Sequence, residues 1–196
     1  MRTIVYLCRH GEVHNPNQVI YGRLSGFPLS KRGEEEAHRL GKHLSSKKLA
    51  AIYASPLTRP RQTAAIVASY HGLSDILADE RLLEVNSPAL EGKLIRLFED
   101  QEWNFYAHEY IDKGGERLRD IWKRINHFLQ EAVKKHKGQE IAVFSHGDPI
   151  MIARAKYRGR RLSFSMIREK PYVGTARGIK LEFEEDVIVD VSDLPI

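Results

Sequence analysis

The sequence predicts an α/β domain on a mostly parallel sheet, and three observations carry that reading. Short β-forming runs alternate with longer amphipathic ones. Two of those runs, residues 3–7 (TIVYL) and 141–144 (IAVF), are apolar enough to be strands buried on both faces. A loop rich in Gly, Asn, Pro and Ser, residues 11–28, follows the first strand, and a loop that long in a compact domain is usually functional.

The elements follow in order. The run SKRGEEEAHRLGKHLSSK from Ser30 puts Ala37, Leu40, Gly41 and Leu44 on one face, with Ser30 as N-cap and acids in the first turn, and predicts a helix. Residues 49–54 (LAAIYA) read as the second strand. Residues 57–70 read as the second helix, ended at His71-Gly72, and Pro60 fits only near its start. Residues 76–82 read as a short third strand leading into the loop EVNSPALEG. Residues 93–113 hold five of the seventeen aromatics, Phe98, Trp103, Phe105, Tyr106 and Tyr110, without a clean period, and read as a helical insertion over one edge of the sheet. A strong helix is predicted over 116–135, with Leu118, Ile121, Trp122, Ile125, Phe128, Leu129 and Val133 on its apolar face. Another helix is expected over 149–157, and residues 178–191 read as two closing strands in a hairpin around 184–186. With no repeat, low-complexity tract or linker, residues 1–196 read as a single domain.

Composition narrows the class further. The chain has 196 residues, enough for one domain, and 42% hydrophobic content suffices for a core. Charged residues make up 29%, and no window reaches eighteen apolar residues, so a membrane protein is not expected. The apolar run at 4–7 is cut short by Arg9 and His10, too early for a secretory segment, and one cysteine cannot close an internal disulfide. A cytoplasmic protein is the expectation. The formal charge of +5 favours anionic partners without choosing among them.

In such sheets ligands collect outside the carboxyl ends of the strands. There the first strand ends in Cys8-Arg9-His10-Gly11-Glu12, with His14 and Asn15 close behind; the second ends in Ser55-Pro56-Leu57-Thr58-Arg59, the third in Glu84, and the 141–144 strand in Ser145-His146-Gly147. Two guanidiniums match the peripheral oxygens of a phosphoryl group and stay charged at any working pH. A neutral imidazole is a competent nucleophile at phosphorus, so one histidine can attack while the other supports the transferring oxygens. Glycine after each histidine would let backbone approach the phosphoryl group. The helix after Ser55-Pro56 would add N–H donors, and Glu84 would protonate the departing alkoxide.

Four segments in register carry a resemblance: Arg9-His10-Gly11-Glu12 with Asn15; residues 55–64 (SPLTRPRQTA); Leu82-Leu83-Glu84 through Glu91-Gly92; and Ser145-His146-Gly147. Pro28-Leu29-Ser30 with Gly33 and Ala37 fits the same pattern. The chain resembles the histidine phosphatase superfamily, the phosphoglycerate-mutase-like fold, over residues 3 to about 155. The resemblance implies a three-layer α/β/α sandwich with a mostly parallel central sheet and a small helical insertion. It implies His10 as the phosphorylated nucleophile, and Arg9, Arg59 and His146 as the phosphate pocket. Asn15 would add a hydrogen bond to the phosphoryl group, Glu84 would be the proton donor, and no metal or organic cofactor would be needed. Pro88 and Leu90 stand where the family usually has Gly and Trp, and Arg117 where a Ser is common. Both departures flank the 93–113 insertion, which is expected to cover the pocket and set substrate choice.

Several residues admit blander readings. Cys8 fits a buried inert thiol, because no anion-cradling loop ending in an arginine follows it. The His10/His14 spacing shares a face only in a helix, which argues against a metal pair. Asn15 beside Pro16 could equally form a turn with no ligand. The basic run Arg154, Lys156, Arg158, Arg160 and Arg161 reads as a solvated face that steers anions rather than as a nucleic-acid patch.

The function expected is a cofactor-independent, histidine acid phosphatase-type phosphomonoesterase acting on a small phosphorylated metabolite, with no nucleic-acid or membrane partner and a homodimer left open. Phosphoglycerate mutase is the second reading. It is disfavoured because Val85-Asn86-Ser87-Pro88 stands where mutases carry an Arg-His-Tyr-Gly type sequence. A catalytically idle binding module of the same fold is the third.

Overall fold

The computed structural model describes residues 1–98 and 103–195. Among them, strands β1 (Arg2–Arg9), β2 (Leu49–Ala54), β3 (Ile76–Ala78), β4 (Glu140–Ser145), β5 (Gly178–Glu184) and β6 (Val187–Asp193) form one sheet in the order β3-β2-β4-β1-β5-β6. β3, β2, β4 and β1 run parallel, while β5 and β6 close one edge antiparallel. Helices α1 (Lys31–Leu44), α2 (Thr58–Ser69), α3 (His108–Ile111), α4 (Leu118–Lys135), α5 (Gly147–Tyr157) and α6 (Phe164–Ile167) complete it. The result is the expected α/β architecture with a mostly parallel sheet.

The apolar runs of β1 and β4 follow from burial on both faces. Val5 and Leu7 pack with Ile141, Val143 and the α4 residues Ile121, Ile125 and Leu129 on one side. Their chain neighbours Tyr6 and Cys8 pack with Ala142, Phe144 and the α1 and α2 residues Leu40, Leu44, Ala64 and Val67 on the other. These are the two α/β interfaces of a sandwich. Each fully buried aliphatic side chain is worth about 1.5–3 kcal/mol relative to exposure. α5 is buried almost all round, so it shows no amphipathic stripe.

Several boundaries differ from the sequence reading, each for a local reason. The third strand stops at Ala78, because the Asp79 side chain caps Arg81 N and turns residues Glu80–Leu82 into a 3₁₀ turn. α4 begins at Leu118 rather than 116, and the Glu116 carboxylate is bound by Arg23 and Arg124. α5 begins at Gly147, two residues before Pro149, with His146 at its N-cap. The 93–113 segment is not one helix. Its described residues form the 3₁₀ turn Ile95–Leu97 and the single turn of α3, while residues 99–102 lie outside the described set. Phe98 and Tyr110 pack with Ile20 and Leu90 in a small separate core, which accounts for aromatics without a helical period.

The α1 N-terminus is pressed onto the loop after β1. Ser30 accepts from Gly33 N and donates to Glu12, while Glu36 accepts from Glu12 N. A methyl on Gly33 would fall 2.0 Å from the Glu12 carbonyl oxygen, which is backbone and cannot swing away. Gly33→Ala is therefore expected to lower stability in urea melts by about 1–3 kcal/mol, the usual range for overpacking. An unchanged midpoint would show the contact to be loose.

Candidate active site

The carboxyl ends of β1, β2 and β4 lie side by side, Arg9 opposite Ser145 in the β1–β4 register and Ala54 opposite Phe144 in the β2–β4 register. Parallel register thereby brings three sequence-distant loops to one rim. His10 leaves β1, Ser55 follows β2 and leads into α2, and His146 links β4 to α5.

Arg59, in the first turn of α2, is 1% exposed and joins these loops. Its Nε lies 3.3 Å from His10 Nε2, and its Nη2 lies 3.2 Å from His146 Nδ1 and donates to the Gly22 carbonyl at 2.7 Å. The Tyr21 ring stacks on its guanidinium at 4.7 Å. The two imidazoles meet edge to face with centroids 5.1 Å apart.

Hydrogen-bond partners fix both tautomers. The Gly11 carbonyl, 2.8 Å from His10 Nδ1, can only accept. Nδ1 therefore carries the proton, and Nε2 keeps its lone pair beside Arg59. For His146, Arg59 can only donate to Nδ1, so the proton sits on Nε2 and meets Ser55 Oγ at 2.9 Å. Burial, then Arg59 and Arg9, push the His10 imidazole well below its ordinary range. Burial, then Arg59 and His10, do the same to His146. Both rings are neutral at neutral pH.

Arg9 stands beside this pair. It donates from Nη1 to the Val173 carbonyl and lies 5.6 Å over the Tyr172 ring, and among the described residues its buried Nε has no partner. Glu84 Oε2 is 3.8 Å from His146 Nδ1. Burial and then the Asp148 carboxylate raise the Glu84 pKa above the usual carboxylate value, against the pull of Val85 N–H, Arg59 and Arg9. Pro88 and Leu90 do not remove Glu84 from the rim. Leu90 is buried instead in the small core with Ile20, Phe98 and Tyr110.

The structure thus gathers Arg9, His10, Arg59, Glu84 and His146 at one place. Asn15 is different: its Nδ2 donates to the Val19 carbonyl and its Oδ1 accepts from Val19 N, so both ends of the amide close the loop in this state. His14 is exposed. Cys8 is buried, and burial pushes its thiol up to about 12, as an inert thiol requires. Three of the five residues of the basic run are ion-paired. Arg154 and Arg158 both reach Asp193, and Arg160 pairs with Glu169.

The two glycines matter for a reason other than the one expected. A methyl on Gly11 would strike the Gly33 carbonyl at 2.3 Å, and one on Gly147 would strike the Tyr172 hydroxyl at 2.2 Å. They admit protein neighbours. Sequence reading also missed Tyr21, Ser55, Tyr172 and above all Asp148. The Asp148 carboxylate, 3% exposed, accepts from Arg168, from Tyr106 Oη at 2.7 Å and from Tyr172 Oη at 2.6 Å. An acid two residues after His146, in the first turn of a helix, was the available signal.

Fold and rim together define a class: an α/β protein with a largely buried cluster of histidines and arginines at the strand carboxyl ends, chemistry that suits a tetrahedral anion. Residues 5–188 match the model of the histidine phosphatase superfamily (branch 1), and the chain belongs to that superfamily. Phosphoserine phosphatase 1 of Hydrogenobacter thermophilus is 34% identical over 154 residues, 74% of this chain and 71% of that one. The probable phosphoglycerate mutase GpmB of Yersinia enterocolitica is 32% identical over 150 residues, 73% of this chain and 69% of that one. Among solved structures, Bacillus stearothermophilus YhfR superposes with a TM-score of 0.84 at 30% identity, covering 95% of this chain and 94% of that one. Among the described residues, no helix is long and apolar enough to cross a membrane.

Because both imidazoles are neutral when folded and free to protonate when unfolded, each contributes stability that is lost as pH falls through about 6.5 toward the depressed folded value. Nitrogen-15 shifts of His10 and His146 should show neutral rings at pH 6, and unfolding free energy should fall below that pH. Protonated rings at pH 6 would contradict the burial described.

Proposed function

We propose that the protein is a phosphomonoesterase working through a phosphohistidine at His10. The observation that carries this is the His10 ring: Nδ1–H is tied to Gly11, and the Nε2 lone pair is held beside a buried guanidinium. Phosphoryl oxygens would take the place His146 and His10 now occupy on Arg59, and would satisfy the unpartnered Arg9 Nε. As Arg59 turns to them, Ser55 Oγ can donate as well as accept, so His146 can shift its proton to Nδ1 and support the same oxygens. Asn15 would add a second N–H from Nδ2, and the 93–113 segment would cover the pocket.

His10 Nε2 attacks phosphorus as the ester P–O bond breaks, and Glu84 gives its proton to the departing alkoxide. The resulting carboxylate then takes a proton from water, whose oxygen attacks phosphorus. The N–P bond breaks, releasing inorganic phosphate and restoring His10. No step needs a metal or an organic cofactor.

A mutase is the second reading, favoured by the likeness to a protein named a probable phosphoglycerate mutase. It shares the nucleophile and would return the phosphoryl group to a second hydroxyl rather than to water.

His10→Ala is expected to reduce hydrolysis of p-nitrophenyl phosphate by at least about 10³-fold, as loss of a nucleophile does. Rapid quenching of wild type with ³²P-labelled ester should trap an acid-labile, base-stable phosphoprotein that the variant lacks. Activity that survives His10→Ala, or that a chelator abolishes, would remove this mechanism. Phosphoglycerate interconversion without phosphate release would favour the mutase.

The pH profile tests Glu84 separately. As a proton donor with a raised pKa, Glu84 is active below that value, so kcat/KM should fall as pH rises through it. The depressed His10 value puts the acidic limb well below pH 6.5. Glu84→Gln should lower kcat by about 10²–10⁴-fold and erase the alkaline limb, with the smallest loss for esters of acidic phenols. An alkaline limb retained in Glu84→Gln would assign the proton to another group.

A further inference from the structure

Around the phosphate cradle the charges are matched, and the matching speaks to the leaving group. Five guanidiniums bear on the rim: Arg9, Arg59, Arg23, Arg124 and Arg168. Arg23 donates from Nε to the Glu84 carbonyl and from Nη2 to Glu116 at 2.8 Å. Arg124 takes both oxygens of Glu116 and also the Glu84 carbonyl. Arg168 gives both terminal nitrogens to Asp148, and its Nη2 also donates to the Trp103 carbonyl. Glu91 accepts from Arg23 N at 2.6 Å. Glu116 and Asp148 are therefore ion-paired with three of the five cations, Arg23, Arg124 and Arg168. Among the described residues, the two guanidiniums with no carboxylate bonded to them are Arg9 and Arg59, the pair that a phosphoryl dianion would itself neutralise.

The surroundings of the cradle are aromatic and hydroxylic rather than cationic. Tyr21 backs Arg59 and contacts Phe27, with centroids 5.2 Å apart. Tyr172 lies between Arg9 and Arg168, each 5.6 Å from its ring, and Phe105 stacks on Arg168 at 5.9 Å. The hydroxyls of Tyr106 and Tyr172 are both spent on Asp148.

From this matching, we infer that the site selects phosphate monoesters of uncharged alcohols and disfavours esters whose alcohol carries a carboxylate, with Asp148 as the specificity-determining residue that cancels Arg168. A carboxylate on the leaving group would meet Asp148, Glu116 and Glu91 with no cation uncommitted among these residues. An uncharged alcohol, above all an aromatic one, would meet tyrosine and phenylalanine faces.

The inference rests on the phosphatase reading, and a matched substrate pair separates the two. Phenyl phosphate and 4-carboxyphenyl phosphate share one leaving-group framework and differ by a carboxylate. Wild type is expected to show kcat/KM at least about tenfold lower for the carboxylated ester, with the gap narrowing as salt rises. Asp148→Asn, which releases the Arg168 charge while keeping a hydrogen-bonding side chain, should raise the carboxylated-to-plain ratio. Equal or better turnover of the carboxylated ester by wild type would overturn the inference and leave the phosphatase reading intact. No turnover of either ester would overturn that reading instead. If Asp148→Asn folds, shown by an unchanged circular dichroism spectrum, and leaves the ratio unmoved, the role given to Asp148 falls.

Discussion

Everything at the rim depends on one buried charge, the guanidinium of Arg59. Removing a cation from water costs several kcal/mol even after the protein relaxes, and a cation so placed normally has a carboxylate bonded to it. Arg59 has none. Its donors end on His10, His146 and a backbone carbonyl, and its face rests on Tyr21. Burial accordingly lowers its pKa. A guanidinium bound only by neutral acceptors keeps almost all of its charge for an incoming anion. The same contacts hold the ring of His10 in place and keep both imidazoles unprotonated.

The fold supplies what this charge needs. Parallel register between β4 and its neighbours β1 and β2 sets three loop starts level, and helices on both sheet faces seal them from water. β5 runs antiparallel to β1, and the turn before it contributes the Arg177 carbonyl and Ala176 N–H that bond Arg9 N and the His10 carbonyl. The backbone on both sides of His10 is thus fixed from the sheet edge as well as from β4. Gly11 and Gly33 let α1 come down on the same loop without a side chain between them.

How much of this was legible in sequence depended on whether the cause was local. The buried strands, the Ser30 cap, the stripe of α4 and the closing hairpin are set by neighbouring residues, and the sequence showed them. The pocket residues Arg9, His10, Arg59 and His146 were legible because each directly follows a strand or opens a helix, where topology forces convergence. The ends of β3 and α5 were misjudged because a single cap, Asp79 or His146, decides them. The internal layout of the 93–113 segment was not legible because its aromatics answer to Ile20 and Leu90, over seventy residues away for Ile20, and no periodicity records a partner that distant. Tyr21, Ser55 and Asp148 escaped for a related reason: each is unremarkable in its own segment and gains meaning only from Arg59, His146 or Arg168 beside it.

Asp148 shows how such a residue links chemistry to selectivity. Its carboxylate stands near enough to Glu84 to raise that acid's affinity for a proton, which suits a donor. It also neutralises Arg168 and holds Tyr106 and Tyr172, which belong to two different segments flanking the mouth. In the proposed reaction this one anion would act in two directions, inward on the proton given to the leaving oxygen and outward on the charge that the leaving group can carry. A relative could keep the histidines and arginines unchanged and still differ in substrate by changing this position alone. The proposed phosphoryl transfer and the choice of alcohol would then meet at a single residue, two places after the second histidine.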